Sequence, residues 1–278
     1  MPEGSAQRSI FEAVARAVFG VSVYGDVFER IALHPRLMFP LLPALRWRIS
    51  AEVLQSDVLF IHIPRAGGTS ARTALYQCNP GHMSARYYRV AAPELLERDT
   101  TFAVIREPVE RVLSAAGFLI NRGGSDVRVE PSALRGLRKV RSLDTFLDYV
   151  ESARGNWLKV DNPARPQSWY IVDGNGRIGV KNLFVLGGQT DQIERHIRRF
   201  TSRPFKHLNR TKQTAPRLTE TQLARVRTLY AGDFAIYEAL QAAGRPDALH
   251  GLAIADLPIQ GARAGSALTA APGRIAHG

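Results

Sequence analysis

One stretch, residues 58–70 with the sequence VLFIHIPRAGGTS, constrains this chain more than any other. Its apolar and largely β-branched beginning predicts a buried strand over residues 58–63. Pro64 ends the strand because proline has no N–H to donate to a sheet. Gly67 and Gly68 then allow a tight turn in which the backbone approaches a ligand closely. The order of these elements predicts a strand followed by a ligand-binding turn.

The end of the same stretch predicts an anion site. Thr69 and Ser70 are good N-cap residues, so a helix is expected over residues 71–77. Free N–H groups and the positive end of the helix dipole would face the turn, and Arg65 adds a full charge. The nucleotide-binding P-loop places Lys directly before the hydroxyl residue, whereas Gly68 stands there in this chain. The loop therefore predicts a phosphate-like ligand held without a Lys–magnesium clamp.

A second stretch, residues 101–114 with the sequence TFAVIREPVERVLS, repeats the arrangement of strand and helix. A buried strand is predicted over residues 102–105, and Arg106 follows at its carboxyl end, where ligands gather in open α/β sheets. Pro108 suits the first position of a helix that continues to about residue 120. Ser114 lies on its second turn, close enough for the hydroxyl and the Arg106 guanidinium to hold one phosphate.

Arg111 has two interpretations of similar weight. It is either a ligand contact or a structural partner of Glu107 or Glu110. Further along the chain, patterns predict a helix over residues 142–150, a strand over 178–186, a helix over 189–200, and one or two helices over 219–242, with 230–233 as the position of a break.

The two stretches together resemble the motifs of sulfotransferases that use 3′-phosphoadenosine-5′-phosphosulfate (PAPS). The segment IPRAGGTS resembles their 5′-phosphosulfate loop, P-K-x-G-G-T-[ST], and the second stretch resembles their 3′-phosphate motif, R-[DE]-P-x-x-R-x-x-S. The resemblance covers roughly residues 57–240 and is closest to the carbohydrate branch. It implies an α/β, P-loop-like three-layer fold, in which a central, mostly parallel sheet carries the two motif strands side by side and is flanked by helices.

The resemblance also implies a set of site residues and a PAPS co-substrate without a metal. It assigns the 5′-phosphosulfate to Arg65, Ala66, Gly67, Gly68, Thr69 and Ser70, the 3′-phosphate to Arg106 and Ser114, and secondary nucleotide contacts to Asn209, Arg210 and Lys212. The family usually has Lys at the position of Arg65, which keeps the charge but is not suited to donating a proton.

His82 corresponds to the family's usual catalytic base. It lies in the segment GHMSARYYR, where relatives often carry a similar histidine, although they commonly have an acidic residue at Tyr87. A histidine near its ordinary pKa would accept the acceptor hydroxyl's proton as the oxygen attacks sulfur. The alternative is a surface histidine in a loop between two elements.

Composition narrows the partners. The chain has 278 residues, a formal net charge of +12 and 45% hydrophobic residues, so a basic surface accompanies a substantial core. Such a surface suits an anionic partner, and the resemblance favours a hydroxyl-bearing glycan or glycolipid over a tyrosine peptide or a small phenol. No nucleic-acid recognition motif accompanies the charge. Cys78 is the single cysteine, which excludes an intramolecular disulfide and fits a cytoplasmic protein.

Three regions are expected. Residues 1–50 are predicted to form a helical cap, residues 51–245 the sulfotransferase domain, and residues 246–278 an Ala/Gly-rich, flexible tail. Residues 31–47 are apolar but contain charges and prolines, which argues against a transmembrane helix or a signal peptide. An interfacial, peripheral membrane contact is the minority alternative for this segment.

The function expected is transfer of a sulfuryl group from PAPS to a hydroxyl of a carbohydrate-like acceptor. A protein that binds PAPS or glycans with weak catalysis is the first alternative, because Arg65 replaces Lys and because His82 is either a catalytic base or a surface histidine. An ATP-dependent small-molecule kinase is a weaker alternative, because the Lys–Ser/Thr pair of such enzymes is missing.

Overall fold

The fold was analysed in a computed structural model that describes residues 3–124, 129, 134, 136–205 and 218–257. Its sheet consists of β1 (Phe60–Ile61), β2 (Phe102–Ile105) and β3 (Asn182–Val185). The α-helices of the described residues are α1 (Glu3–Phe19), α2 (Asp26–Leu33), α3 (Leu42–Trp47), α4 (Ala51–Leu54), α5 (Thr69–Tyr76), α6 (Ala85–Ala91), α7 (Pro93–Leu96), α8 (Pro108–Ile120), α9 (Leu143–Glu151), α10 (Gln167–Ile171), α11 (Thr190–Arg198), α12 (Glu220–Leu229) and α13 (Ala231–Ala243). Short 3₁₀ helices cover Phe39–Leu41, Trp157–Lys159, Asn162–Ala164 and Ile254–Asp256.

The sheet is parallel, with β2 between β1 and β3. Phe60 of β1 is in register with Phe102, and Phe102 is in register with Asn182 of β3. Every residue of β1 and β2 is buried, as expected when helices cover a parallel sheet. The α/β class and the adjacency of the two motif strands are therefore confirmed.

β1 is shorter than the predicted strand over residues 58–63. The Phe60 amide donates to the Tyr76 hydroxyl at 2.7 Å, and that hydroxyl donates to the Val58 carbonyl at 3.0 Å. A side chain of α5 thus bonds to the backbone groups on the edge of β1 that faces away from β2. β3 is also shorter than predicted, because Ile178 instead forms an antiparallel bridge with Val172.

The helix predictions in the second half of the chain are mostly confirmed. α8 begins at Pro108 and ends at Ile120, and Ser142 caps α9 through a capping box with Thr145. α12 and α13 are separated at Tyr230. The apolar faces of α8, α9 and α12 contribute to a second core cluster, which includes Val112, Leu119, Phe146, Leu147 and Val226.

The N-terminal region belongs to the same core as the sheet. Val27, Ile31 and Leu45 are buried in one cluster with the strand residues. In addition, the buried carboxylate of Asp26 in α2 pairs with the buried guanidinium of Arg165. Residues of α2 and α3 therefore contribute to the interior of the domain, whereas Ile10, Phe11, Val14 and Val18 of α1 are exposed.

The chain continues to pack on the domain beyond residue 245. Leu249 and Leu257 are buried in the main core cluster, and the Gly251 amide donates to the Ile178 carbonyl at 2.9 Å. The Ala/Gly-rich sequence predicted as a tail therefore begins with a packed segment, and residues 258–278 lie outside the described part of the chain. Within that part, none of the helices combines the length and the hydropathy needed to cross a lipid bilayer.

Candidate functional site

The loop between β1 and α5 has a backbone that only a few residue types favour. Arg65 has φ +66° and Gly67 has φ +79°, both in the left-handed region. A Cβ on Gly67 would lie 2.7 Å from Leu186 Cδ2, and one on Gly68 would lie 2.4 Å from His62 Cδ2. A side chain at either glycine would therefore meet its neighbours, and Gly67 also has a backbone conformation that favours glycine. A non-glycine residue in the left-handed region at Arg65 marks a position where the surroundings hold a strained backbone.

Helix α5 presents free amides to this loop. The helix begins at Thr69 with Gly68 as N-cap, two residues earlier than predicted, so the prediction of Thr69 and Ser70 as caps is wrong. The reason is that the backbone enters the helical region already at Gly68, with φ −70° and ψ −7°. The amides of Gly67, Gly68 and Thr69 donate to no described residue. Such amides at a helix start form an anion site.

Ala66 differs from its neighbours in this loop. Its amide donates to the Ile63 carbonyl at 3.4 Å, and its side chain is buried. Ala66 therefore supports the turn from inside. Ser70 is buried in the first turn of the helix, whereas Thr69 is partly exposed.

Arg65 joins the two motifs. Its Nε donates to the Ser114 hydroxyl at 3.2 Å, and its guanidinium lies 4.9 Å from the centroid of the Phe118 ring. Burial lowers the pKa of Arg65, and the nearby charges of Arg106 and Arg111 lower it further. Three guanidinium groups that raise the local potential in this way favour a multiply charged anion.

Arg106 is held in place through its backbone. The Gln167 side chain accepts from the Arg106 amide and donates to the Arg106 carbonyl, both at 2.8 Å. Asp233 in turn accepts from the amides of Gln167 and Ser168, also at 2.8 Å. The guanidinium of Arg106 pairs with Glu110 at 3.0 Å across a partly exposed surface.

Arg111 has neither of the two ion pairs considered for it from the sequence. Its side chain is 0% exposed, and its Nε donates to the Pro64 carbonyl at 3.3 Å. The two terminal nitrogens find no hydrogen-bond partner among the described residues. Burial raises the pKa of Asp233, and the charge of Arg111 opposes that rise. Arg111 thus supports the loop from below, and no described carboxylate forms an ion pair with it.

His82 lies against the residue that precedes the loop. Its Nδ1 is 2.8 Å from the His62 carbonyl, and the two imidazole rings are 4.4 Å apart. Because a carbonyl oxygen only accepts, Nδ1 carries the proton and Nε2 holds the lone pair of a base. Burial lowers the pKa of His82 to about 4, although the bond to His62 opposes this effect. His82 is therefore a neutral acceptor at pH 7.

A buried carboxylate that the sequence did not reveal holds the start of α6, two residues after His82. Glu29 of α2 is buried, and its carboxylate accepts from the Ser84 amide at 2.7 Å and from the Ser84 hydroxyl at 2.8 Å. Ser84 also caps α6, two residues after His82. No local signal identifies Glu29, because its partner lies 55 residues away in the chain.

Near this region, the Arg86 guanidinium lies 4.7 Å from the centroid of the Trp169 ring. Asn209, Arg210 and Lys212 lie outside the described residues. Within the described ranges, no group of three or more His, Cys, Asp or Glu side chains is arranged to hold a metal.

The structure therefore brings together Arg65, the turn glycines, Arg106 and Ser114, with His82 beside the start of the loop. This arrangement defines an α/β protein in which the turn between a parallel strand and a helix presents backbone amides beside arginine side chains. Comparison of the chain with protein-family models, curated proteins and solved structures gave no match.

Proposed function

We propose that this protein is a sulfotransferase with a P-loop-like fold, which transfers the sulfuryl group of PAPS to a hydroxyl of a carbohydrate-like acceptor. The observation that carries the proposal is the contact between Arg65 and Ser114 at 3.2 Å. It joins the cation of one phosphate motif to the hydroxyl of the other, next to three backbone amides that donate to no described residue. A ligand with two separate phosphate groups fits such a pair of neighbouring sites.

The loop would hold the 5′-phosphosulfate. Its oxygens would accept from the amides of Gly67, Gly68 and Thr69 and from the guanidinium of Arg65. Arg106 and Ser114 would hold the 3′-phosphate, which ATP does not have. Glu110 competes only weakly with the 3′-phosphate for the Arg106 guanidinium, because exposed ion pairs contribute about 0–1 kcal/mol.

In the reaction, the acceptor oxygen forms a bond to sulfur while the bond from sulfur to the bridging oxygen breaks. The acceptor proton passes to Nε2 of His82, and 3′,5′-adenosine bisphosphate leaves with the electron pair of the broken bond. Arg65 and the loop amides would stabilise the charge that develops on the bridging oxygen. Arg65 stabilises this charge electrostatically, since a guanidinium does not release its proton in proteins.

The lowered pKa of His82 also favours a second candidate, a PAPS- or glycan-binding protein with weak catalysis. A base with a pKa of about 4 is a poorer proton acceptor than an ordinary histidine. This candidate would be favoured if the protein bound the bisphosphate tightly but sulfated none of a panel of sugars, glycolipids and phenols.

The donor site is tested by thermal unfolding with 3′,5′-adenosine bisphosphate and, separately, with ATP and magnesium. At about 100 times its dissociation constant, a ligand of the native state adds about 2.7 kcal/mol. That gain corresponds to about 5–10 °C for a domain of this size. We expect the shift with the bisphosphate alone. Arg106→Ala should lose it, and the exposed control Arg195→Ala should keep it.

Two results would contradict the proposal. One is a shift with ATP and magnesium but none with the bisphosphate, which would point to a kinase. The other is an equal bisphosphate shift in Arg106→Ala and wild type, which would mean that the 3′-phosphate lies elsewhere.

A further inference from the structure

The segment between α2 and α4 exposes large apolar side chains. Leu37 is 81% exposed, Phe39 is 73% exposed and Trp47 is 84% exposed. Most apolar residues of this size are buried in a folded domain, and a group of exposed ones marks an interaction surface. The three residues lie within eleven positions of one another. Leu37 precedes the short 3₁₀ helix, Phe39 begins it, and Trp47 ends α3. We call this surface, with its neighbouring residues 34–48, the 34–48 surface.

The 34–48 surface is positively charged. Residues 34–48 include Arg36, Arg46 and Arg48 but no Asp or Glu. Arg36 is exposed and forms no ion pair with a described residue. Arg46 pairs with the exposed Glu94 at 2.6 Å, and Arg48 lies over the Phe28 ring. Trp47 therefore stands between two arginines, a combination that suits the boundary between lipid headgroups and acyl chains.

A basic cavity opens beside the same surface. It has a volume of about 630 Å³, and Leu37 and Arg36 line it together with Arg86, Arg89 and Val90. Arg86 Nη1 and Arg89 Nε are buried and have no hydrogen-bond partner among the described residues. The acidic groups near them are Glu29, whose charge acts on Arg86, Asp173, at 3.6 Å from Arg89 Nη2, and Glu97, at 3.1 Å from Arg89 Nη1. Buried guanidinium nitrogens without partners indicate room for a small anion.

Helix α1 extends the apolar character. Ile10, Phe11, Val14 and Val18 are exposed on it, with helical spacing. The Phe11 ring contacts Tyr24 at 6.1 Å, and Tyr24 contacts Phe28 at 6.2 Å. This row of rings ends under Arg48, next to Trp47. The contacts connect α1 with the 34–48 surface.

We propose that the 34–48 surface binds an anionic lipid membrane. Leu37, Phe39 and Trp47 would enter the interfacial layer, Arg36, Arg46 and Arg48 would face the anionic headgroups, and the cavity would receive one headgroup phosphate. A second copy of the chain is the poorer occupant, because a two-fold symmetric contact would bring the three arginines against themselves without a carboxylate in the segment. This role is separate from sulfuryl transfer and does not depend on it.

The test is sedimentation of the full chain with vesicles of phosphatidylcholine alone or with about one third phosphatidylglycerol. Wild type should bind the anionic vesicles at least about tenfold more tightly, and high salt should weaken that binding. Trp47→Ser and Phe39→Ser should each lower the affinity at least about fivefold, because each removes a large apolar group from the interface. The control Leu252→Ser, at another exposed leucine, should bind as wild type does.

The charges are tested with a second pair of variants. Arg36→Glu should weaken binding to anionic vesicles by about fivefold or more, and Arg195→Glu on α11 should not. All variants alter exposed side chains, and each should keep the wild-type unfolding temperature and the bisphosphate shift. A failure of the donor-site experiment would therefore leave this test unaffected.

Several outcomes would overturn the proposal. Equal binding to neutral and anionic vesicles, or none to either, would exclude an anionic membrane. A higher unfolding temperature with soluble glycerol phosphate, in the absence of vesicle binding, would assign the cavity to a free metabolite. A wild-type dimer in solution that Trp47→Ser converts to a monomer, with no vesicle binding, would assign the surface to a second copy.

Discussion

At the scale of single residues, Arg65 carries most of the proposed donor site. Its guanidinium contacts Ser114 and Phe118, and its backbone has φ +66°. We expect Arg65→Ala to lower kcat/KM for PAPS by about 10²–10³-fold, the usual effect of removing a donor that stabilises transition-state charge. Arg65→Lys should retain or improve activity, since Lys keeps the charge and also supplies a proton.

The matched control for Arg65 is Arg154. Arg154 is exposed and also has a positive φ, +48°, so replacing it with Ala tests the backbone effect without the charge at the site. Sulfation assays with Arg65→Ala, Arg65→Lys and Arg154→Ala test the role of Arg65. Wild-type turnover in Arg65→Ala would exclude Arg65 from catalysis and would contradict the proposed reaction.

The lowered pKa of His82 predicts how activity depends on pH. Its folded pKa of about 4 lies below the ordinary value of 6.5, so the ring stays neutral and able to accept a proton down to about pH 4. Activity requires the unprotonated form and should therefore be lost as the pH falls through about 4, not through 6.5. The acid limb of kcat/KM against pH, which reports the free enzyme, measures this pKa.

Two variants separate His82 from other histidines. His82→Gln should reduce turnover by about 10²–10⁴-fold and remove the acid limb, the usual contribution of a general base. His34→Gln, at an exposed histidine, should leave the profile unchanged. A limb near 6.5 in wild type, or full activity in His82→Gln, would exclude His82 as the base.

At the scale of elements, the turn between β1 and α5 depends on Gly68. Its φ of −70° suits any residue, so the effect of a side chain there is purely steric. A Cβ would lie 2.4 Å from His62 Cδ2 and 2.9 Å from Phe60 Cζ. We expect Gly68→Ala to lower the free energy of unfolding by about 1–3 kcal/mol and to weaken bisphosphate binding, because the loop must shift.

Gly188 provides the comparison for this element. It follows β3, and a Cβ there meets nothing within 4 Å. Gly188→Ala should change the free energy of unfolding by no more than about 0.5 kcal/mol. Denaturant unfolding of both variants measures the difference, and equal stability would show that the turn relaxes around Gly68.

At the scale of the whole molecule, a buried ion pair connects the N-terminal helices to the rest of the domain. Arg165 Nη1 donates to Asp26 Oδ1 at 2.8 Å, and both side chains are buried. Asp26→Asn leaves the guanidinium charge without compensation and should cost about 3–5 kcal/mol of unfolding free energy. Glu194→Gln, which removes an exposed pair with Arg198, should cost only about 0–1 kcal/mol.

The same measurement tests the domain organisation. Because Val27, Ile31 and Leu45 share one core with the strands, wild type should unfold in a single transition that includes residues 1–50. A separate early transition of the N-terminal region, or an Asp26→Asn variant as stable as wild type, would show that this region is only loosely attached.

Local sequence patterns determined much of this protein. The apolar runs at β1 and β2, the proline at the start of α8 and the capping residue Ser142 each specify their element through neighbours a few positions away. The two motifs likewise identified the candidate anion residues. The start of β3 was less predictable, because Ile178 forms a bridge with Val172 instead of extending the strand.

Tertiary structure alone decided how those residues act together. The bonds of Gln167 to the Arg106 backbone, the contact of Arg111 with the Pro64 carbonyl and the bonds of Glu29 to Ser84 depend on packing. The tautomer of His82 follows from a carbonyl 20 residues earlier in the chain. Charge state and accessibility are set by burial and by partners distant in sequence, so a linear pattern identifies the groups whereas their environment appears only in the folded chain.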